Sequence, residues 1–295
     1  MSIFTRTQVS AAASVFTAAA LALTGCAAGT TSTTDDKKSG LPQLLQNAVS
    51  SGTLTVGTSV NAPIAYLTSG SDQLSGVTAD VMREYLKRSG VADKVSLKVE
   101  TMDFSSLIPA LQTKRIDYMI DTMYVTEARK KVVDFTDPIF YNPEGLVVPK
   151  GNPDKLASLA DLCGKSAGSY DGSAFVGMLK AASEKCGSNP MALTTYPKVE
   201  DVINDISAGR LDGGLIDATV AAYGIHVNPS LTIELVSDYV PVDKSLTAAP
   251  NAVLPGNEDF VSDYNKHLEA MKADGTMAKI LDDNGLSPAD YFLKP

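Results

Sequence analysis

The chain has 295 residues, of which 44% are hydrophobic and 20% are charged, and its formal net charge is −9 at pH 7. This ordinary globular balance provides enough apolar residues for one large domain or two smaller ones. The sequence contains no basic stripe interleaved with aromatic residues, which argues against nucleic acid as a partner. The acidity favours solubility and gives a slight bias toward cationic solutes.

The first 25 residues have the layout of a secretory signal peptide. Arg6 supplies a positive charge, and residues 11–23 are almost entirely apolar but too short to span a membrane comfortably. The run ends in Leu23-Thr24-Gly25-Cys26, which resembles the lipobox of bacterial lipoproteins. That resemblance implies that Cys26 is diacylated, with a fatty acid such as palmitate, and becomes the new N-terminus. An ordinary signal peptide followed by a chance cysteine is the alternative.

Residues 26–40 are predicted to be the lipidated cysteine and a flexible tether. The segment consists largely of Ala, Gly, Thr, Ser, Asp and Lys, without an apolar period. Such a composition cannot bury enough apolar surface to offset its ordering entropy. No later stretch of the sequence is long and apolar enough to cross a bilayer. We therefore expect a protein that is lipid-anchored on the outer face of the cell membrane and does not span it.

From residue 54 the sequence alternates between strand-like and helix-like patterns. In the first half the predicted elements are a strand at 54–58, a helix at 80–89 that ends at Gly90, a strand at 95–99, a helix capped by Asp103 or Ser105 with Pro109 in its first turn, and a strand at 116–120. This βαβαβ order predicts a parallel sheet covered by helices.

A second run of the same kind follows residue 153. Its predicted elements are a short helix or turn at 156–162, a strand at 166–169, helices at 173–185 and 199–207, a strand at 215–216, and a C-terminal helical region at 259–280 broken at Asp274-Gly275. The pattern predicts two α/β units, with crossings near residues 145–147 and 240–242.

The cysteines after Cys26 are Cys163 and Cys186. An even pair in an exported chain predicts one disulfide, with two free buried thiols as the alternative. Neither cysteine has a CxxC spacing, and the two histidines, His226 and His267, are isolated in the sequence. We therefore predict no metal site and no cofactor.

Several motifs together resemble one protein family over nearly the whole mature chain. The matching segments are Leu107 to Gln112 (LIPALQ), Ile116-Asp117, Met123 to Thr126 (MYVT), Arg129 to Lys131, Val133 to Pro138 (VDFTDP), Leu159 to Lys165 (LADLCGK), Gly209 to Asp212 (GRLD), Asp217, and Leu268 to Ile280. They resemble the extracellular solute-binding proteins of polar amino acid importers, solute-binding protein family 3. The resemblance implies an α/β, type II periplasmic-binding-protein-like fold with two lobes, each a sheet flanked by helices, joined by a two-stranded hinge. Lobe one is expected at 41–146 and 244–295, and lobe two at 147–243.

The resemblance also implies a function. The protein would be a monomeric substrate-binding lipoprotein and not an enzyme. It would capture a small polar solute, an amino acid, and deliver it to an ABC permease and its ATPase. A further hypothesis is that this amino acid is cationic. The alternatives are an exported dehydratase-like enzyme on the same fold and a lipoprotein that has lost its ligand.

Two charged residues are the first candidates for ligand contact, because both follow strand ends at the sheet edge where ligands tend to bind. In the family, the residue matching Arg129 holds the ligand carboxylate, for which a guanidinium offers a fixed donor fork. The residue matching Asp217 takes the ligand ammonium. The alternative for Arg129 is a surface arginine in an Arg-Lys-Lys run. The alternative for Asp217 is the N-cap of a helix that begins at Ala218.

Three further contacts are implied by the resemblance. Ser173 stands where a helix N-terminus aims backbone N–H groups at a carboxylate. Phe104 matches an aromatic residue that packs on the ligand side chain, although it is equally good core material. Thr122 matches a hydroxyl contact.

The last three candidates depart from the family pattern. Asp121 and Tyr124 stand where the family usually has small residues, and Ser59 replaces a polar or acidic residue. If Asp121 faces the cleft, its charge would favour cationic solutes; the alternative is that it caps or pairs locally. These three departures put the usual amino-acid pocket in doubt.

Overall fold

The computed structural model describes residues 40–244 and 247–293. Within these ranges the helices are α1 (Gln43–Ser51), α2 (Val77–Arg88), α3 (Leu107–Gln112), α4 (Ala174–Glu184), α5 (Val199–Ser207), α6 (Ala218–Val227), α7 (Glu258–Ala273), α8 (Thr276–Asp283) and α9 (Pro288–Tyr291). Short 3₁₀ helices occupy Phe104–Ser106, Arg129–Lys131 and Leu159–Leu162. None of the helices in the described ranges is long and apolar enough to cross a membrane.

The strands are short, and most belong to one of two five-stranded sheets. Their bounds are β1 (Thr53–Thr58), β2 (Tyr66–Leu67), β3 (Leu74–Ser75), β4 (Ser96–Thr101), β5 (Tyr118–Met119), β6 (Asp134–Phe135), β7 (Phe140–Tyr141), β8 (Glu144–Pro149), β9 (Ser166–Tyr170), β10 (Ala192–Tyr196), β11 (Gly213–Asp217), β12 (Ile233–Leu235), β13 (Ala248–Ala249) and β14 (Ala252–Val253).

The first sheet has the strand order β4-β1-β5-β14-β6 and defines lobe one. β1 runs parallel to β4 and β5, as the βαβαβ pattern predicted. β14, which comes from the C-terminal part of the chain, enters between β5 and β6 and is antiparallel to both. The sheet is therefore mixed, and the chain must return from lobe two to complete it.

The second sheet has the order β10-β9-β11-β8-β12 and defines lobe two. β9 pairs in parallel with β10 and β11, whereas β8 is antiparallel to β11 and β12. The carboxyl ends of β9 and β11 lie side by side because the two strands are parallel neighbours. Tyr170 is the last residue of β9 and Asp217 is the last residue of β11, so the two residues lie next to each other.

A two-stranded ribbon links the sheets, since β7 pairs antiparallel with β13. β7 lies between β6 and β8 in the chain, and β13 lies between β12 and β14. The two crossings of the chain thus run next to each other. The predicted crossings at 145–147 and 240–242 lie on the lobe-two side of this ribbon in the sequence, and residues 145–147 are part of β8.

An aromatic cluster fixes the helix α7 on lobe one. Tyr85 packs edge-on against Phe260 and Tyr264, with ring centroids 5.6 and 5.0 Å apart, and Tyr118 lies 5.7 Å from Phe260. All four rings are buried. The Tyr118 hydroxyl donates to Asn251 Oδ1 at 2.7 Å, so the polar end of the cluster is satisfied without water.

Most predicted elements match the structure to within a few residues, and α5 matches fully. The helix predicted at 80–89 begins three residues earlier, at Val77. Of the two predicted caps of α3, Asp103 is the N-cap residue of the 3₁₀ helix Phe104–Ser106, which leads directly into α3, and Ser105 lies within that 3₁₀ helix. The N-cap of α3 itself is Ser106, and neither Ser106 nor Asp103 makes a side-chain capping bond.

The structure confirms the predicted disulfide between Cys163 and Cys186, whose Cα atoms are 5.4 Å apart. Cys163 follows the 3₁₀ helix Leu159–Leu162, and Cys186 follows α4. The bond therefore ties the two ends of the α4 region together within lobe two. Cys26, the signal peptide and most of the tether lie outside the described residues.

Candidate functional site

A small cavity lies where the two lobes meet, and six predicted site residues line it. Its volume is about 10 Å³. The lining residues are Phe104, Thr122, Met123, Tyr124, Arg129, Tyr170, Ser173, Ala174, Phe175 and Asp217. The first five belong to lobe one and the last five to lobe two. The predicted residues among them are Phe104, Thr122, Tyr124, Arg129, Ser173 and Asp217.

Asp217 is the acidic member of the lining and is buried, with 6% of its surface exposed. It ends β11 and precedes α6, yet its side chain makes no capping bond to that helix. Instead, Oδ1 accepts a hydrogen bond from Asn142 Nδ2 at 2.8 Å, and Oδ2 accepts one from the Tyr170 hydroxyl at 2.7 Å. Burial raises the pKa of this carboxyl, against the effect of both donors and of the nearby Arg129.

Arg129 is the cationic member of the lining. It sits in the 3₁₀ helix Arg129–Lys131, and its Nη1 donates to the Tyr124 carbonyl at 2.6 Å. Its Nη2 donates across the cleft to the Gly172 carbonyl at 2.8 Å. Burial lowers the pKa of the guanidinium, which remains charged because arginine titrates far above neutral pH. Within the described part of the chain Arg129 makes no salt bridge, and the hydrogen bonds of its guanidinium go to backbone carbonyls.

Aromatic rings fill most of the space between these two charges. Phe104 packs edge-on against Tyr170 with centroids 5.3 Å apart, and Tyr124 packs edge-on against Phe175 at 5.4 Å. Both pairs join lobe one to lobe two. The Arg129 Cζ atom lies 5.8 Å from the Phe104 centroid, within range of a cation–π contact. The cleft is therefore closed, and the contacts across it are made by protein groups.

Asn142 connects the crossing segment to both lobes, and the sequence analysis missed it. Its Nδ2 donates to Asp217, as described above, and lies 3.4 Å from Thr122 Oγ1. Its carbonyl accepts from the Tyr124 hydroxyl at 2.7 Å, and its Oδ1 accepts a short bond from Thr219. Asn142 immediately follows β7, so its side chain links the ribbon to Asp217 by a hydrogen bond.

Ser173 is the N-cap of α4 and lines the cavity, as expected for a residue at a helix N-terminus. Its hydroxyl donates to the Tyr170 carbonyl at 2.7 Å, and its backbone N–H bonds the same carbonyl at 3.3 Å. In this conformation both donors are used within lobe two.

The structure does not bring Asp121 and Ser59 into this lining. Asp121 is buried, and it accepts hydrogen bonds from the Thr58 hydroxyl at 2.8 Å, from the Ser59 backbone N–H at 2.7 Å and, at short distance, from the Ser59 hydroxyl. Ser59 also lines a second, larger cleft of about 540 Å³, together with residues 101–103 and Lys198. Asp121 thus makes the local pairing that was its alternative role, and a ligand contact by either residue stays a prediction.

The stability of the protein is expected to depend on pH through Asp121. Burial, partly offset by the bonds from Ser59 and Thr58, raises its pKa to about 6. The unfolded value is about 3.9, so folding favours the protonated form. The resulting stabilisation is present below about pH 4 and is lost as the pH rises through about 6. We expect Asp121→Asn to remove this dependence.

Chemical denaturation of wild type and Asp121→Asn between pH 4 and pH 7 measures the effect. The difference between their unfolding free energies should change by up to about 3 kcal/mol across the window. A difference that stays constant with pH would show that Asp121 titrates at the same pH in the folded and unfolded states.

The sequence model of the bacterial extracellular solute-binding proteins, family 3, matches residues 54–285. The chain belongs to this family. The probable amino-acid-binding protein YxeM of Bacillus subtilis (strain 168) is 30% identical to it over 220 residues, which are 74% of this chain and 78% of the relative.

Two solved structures show the same fold as this family 3 protein. An ancestral arginine-binding protein bound to arginine matches with a TM-score of 0.69 and 33% identity, over 79% of this chain and 97% of that one. The ancestral amino acid-binding protein AncCDT-1, a precursor of cyclohexadienyl dehydratase, also has a TM-score of 0.69, with 26% identity over 81% and 98% of the two chains. The predicted two-lobed, type II periplasmic-binding-protein-like fold is confirmed.

Tyr170 of this family 3 protein also lines the cavity, and its position in the sequence indicates a site residue. It is the last residue of the strand whose start was predicted at residue 166, three positions before Ser173. Ligands tend to bind beyond the carboxyl ends of parallel strands, so a bulky residue at that end lies in the candidate site. The available signal was therefore its position and not its residue type.

Proposed function

We propose that the protein captures an amino acid between its lobes and delivers it to the permease of an ABC importer. The observation that carries this proposal is that Arg129 of lobe one and Asp217 of lobe two line the same cavity. A free amino acid presents a carboxylate and an ammonium a few bonds apart. A fixed guanidinium and a fixed carboxylate on opposite lobes complement that pair, and both are engaged only when the lobes close by hinge motion.

We infer a preference for cationic amino acids. The ancestral relative described above was solved with arginine bound, and the net charge of −9 favours the approach of cations. Asp121 lends no support to this preference, because both of its oxygens accept hydrogen bonds from Thr58 and Ser59. Cationic amino acids are therefore the first ligands to test, followed by neutral and acidic ones.

We infer a carrier and not an enzyme. The AncCDT-1 relative shows that this fold lies close to a dehydratase. The Asp121 carboxylate, which a dehydratase could use as a second acid beside Asp217, is held by Thr58 and Ser59 and does not line the cavity. Tyr124 and Tyr170 have pKa values raised far above neutral by burial, so their hydroxyls are hydrogen-bond donors and poor bases.

Calorimetry on the mature protein with basic, neutral and acidic amino acids tests the proposal. We expect one-to-one binding, with the ligand recovered intact and identical to any small molecule that co-purifies. Loss of a UV-absorbing cyclic substrate during incubation would support the dehydratase instead. The absence of binding or thermal stabilisation with every amino acid tested would contradict the amino-acid proposal.

We further propose that residues 1–25 are a signal peptide, that residues 26–40 form the anchor and tether, and that lobe two spans 147–243 between the two parts of lobe one.

Cys26→Ser is expected to release the protein into the medium or to block its processing, because the lipid is attached to the cysteine thiol. Membrane fractionation with wild type as the control measures this. A variant that stays membrane-bound at the wild-type level would contradict the anchor.

A further inference from the structure

Tyr170 occupies the acidic end of the candidate site. Its hydroxyl donates to Asp217 Oδ2 at 2.7 Å, and only 4% of its surface is exposed. β9 and β11, which end in these residues, are paired neighbours in the same sheet. Both residues therefore belong to lobe two, and their hydrogen bond does not require the lobes to be closed.

The ring of Tyr170 also fills the space between the lobes. It packs edge-on against Phe104 of lobe one at 5.3 Å and against Phe175 of lobe two at 5.9 Å. The remaining cavity of about 10 Å³ is at the lower limit of the roughly 10–15 Å³ that a single water molecule needs. An amino acid cannot occupy this space unless the aromatic side chains move or the lobes separate.

Direct contacts between protein groups join the two lobes across the cleft. Arg129 donates to the Gly172 carbonyl, two residues after Tyr170. A Cβ atom at Gly172 would lie 2.7 Å from Ser105 Cα, so the backbones of the two lobes touch at this position. The closed form thus satisfies both charged residues of the site with the protein's own groups.

We propose that Tyr170 is a specificity-determining residue that competes with the solute for Asp217 and for the space beside Phe104. This inference rests on the proposed function, because it assumes a solute with an ammonium group. Such a solute must provide a donor for Asp217 in place of the tyrosine hydroxyl, and it must displace the ring from Phe104. Solutes that lack a cation do not compensate for the lost Tyr170–Asp217 bond and are rejected.

Two substitutions separate the roles of the ring and the hydroxyl. Tyr170→Phe keeps the ring and removes the competing donor, whereas Tyr170→Leu removes the donor and frees volume. Tyr196→Phe is the matched control, because Tyr196 is the register partner of Tyr170 on β10 and donates to Asp205 at 2.6 Å outside the cavity.

The measurements are small-angle X-ray scattering without solute and calorimetry with L-arginine, L-ornithine and glycine. We expect unliganded wild type to be compact and Tyr170→Leu to have a larger radius of gyration. Affinity for L-arginine should rise by about tenfold or more in Tyr170→Leu, since removing a hydrogen bond to a charged group frees that group for the ligand. Tyr170→Phe should gain affinity for all three amines, and Tyr196→Phe should match wild type.

The outcomes distinguish this inference from the proposed function. If Tyr170→Leu expands the unliganded protein but no amino acid binds to any variant, the closing role of Tyr170 stands and the amino-acid proposal fails. If wild type and both Tyr170 variants bind an amino acid equally well, the function stands and the competition is disproved. Weaker binding by Tyr170→Phe than by wild type would make the hydroxyl a solute contact and would also overturn the inference.

Discussion

Replacing Arg129 or Asp217 by alanine is expected to weaken amino-acid binding by about two orders of magnitude or more, because in the proposed site each supplies the charge that complements one end of a zwitterion. Truncating one partner of a buried, hydrogen-bonded charge pair costs about 2–5 kcal/mol, and each 1.4 kcal/mol is about a tenfold change in affinity. The desolvated partner would be the ligand carboxylate in Arg129→Ala and the ligand ammonium in Asp217→Ala. Calorimetry with the best ligand of the amino-acid panel measures both effects.

The variants need controls because Arg129 also bonds the Tyr124 and Gly172 carbonyls. Arg129→Lys keeps the charge but not the planar donor fork, and it should fall between wild type and Arg129→Ala. Lys130→Ala is the matched control, since Lys130 lies in the same 3₁₀ helix and pairs with Glu127 on the surface. Unchanged affinity in both Arg129→Ala and Asp217→Ala would remove these residues from the site. A best ligand that lacks either charge would exclude an amino acid.

Removing the Cys163–Cys186 disulfide is expected to lower the unfolding free energy of the protein by roughly 3 kcal/mol. The bond closes a loop with a sequence separation of 23, and in the chain-entropy model it stabilises by restricting the unfolded chain. The effect should be concentrated in lobe two, which contains both cysteines and α4. Denaturant unfolding of wild type and of the double variant Cys163→Ser/Cys186→Ser measures it.

Reduction provides the internal control for this prediction. A thiol reductant should destabilise wild type to the level of the double variant and leave the variant unchanged. Hydrogen exchange should show faster opening of β9 and α4 than of β1 and β4 in the variant. Two alkylatable thiols in unreduced, denatured wild type would contradict the bond itself.

The fold was largely predictable because its signals are local. The helix α5 is specified by Val202, Ile203 and Ile206 on one face, and the break between α7 and α8 by Asp274-Gly275. The mixed character of the first sheet was not predictable from periodicity. β14 is two residues long and is defined by its pairing with β5 and β6, which are more than a hundred residues earlier in the chain.

The site was predictable where a family motif specifies a backbone position, and unpredictable where packing decides a side-chain direction. The motif placed Arg129 and Asp217 at one cavity. It gave no indication that Asp121, two residues beyond the end of β5, would find all its donors at Thr58 and Ser59. A buried carboxylate is stabilised by such donors, and this local pairing competes with exposure to the cleft. The contacts of Asn142 depend on the close approach of segments far apart in sequence, for which the sequence carries no local signal.

The position of β14 also determines the order in which the lobes can be completed during synthesis. When residue 235 has been made, all five strands of the lobe-two sheet exist, whereas the lobe-one sheet still lacks the strand between β5 and β6. Lobe two can therefore finish folding first, although lobe one contains the earlier residues. Until residue 253 is added, β5 and β6 each have an unpaired edge, and such edges are templates for aggregation. A chain that terminates prematurely between these two points would carry a folded lobe two on an open, association-prone lobe one.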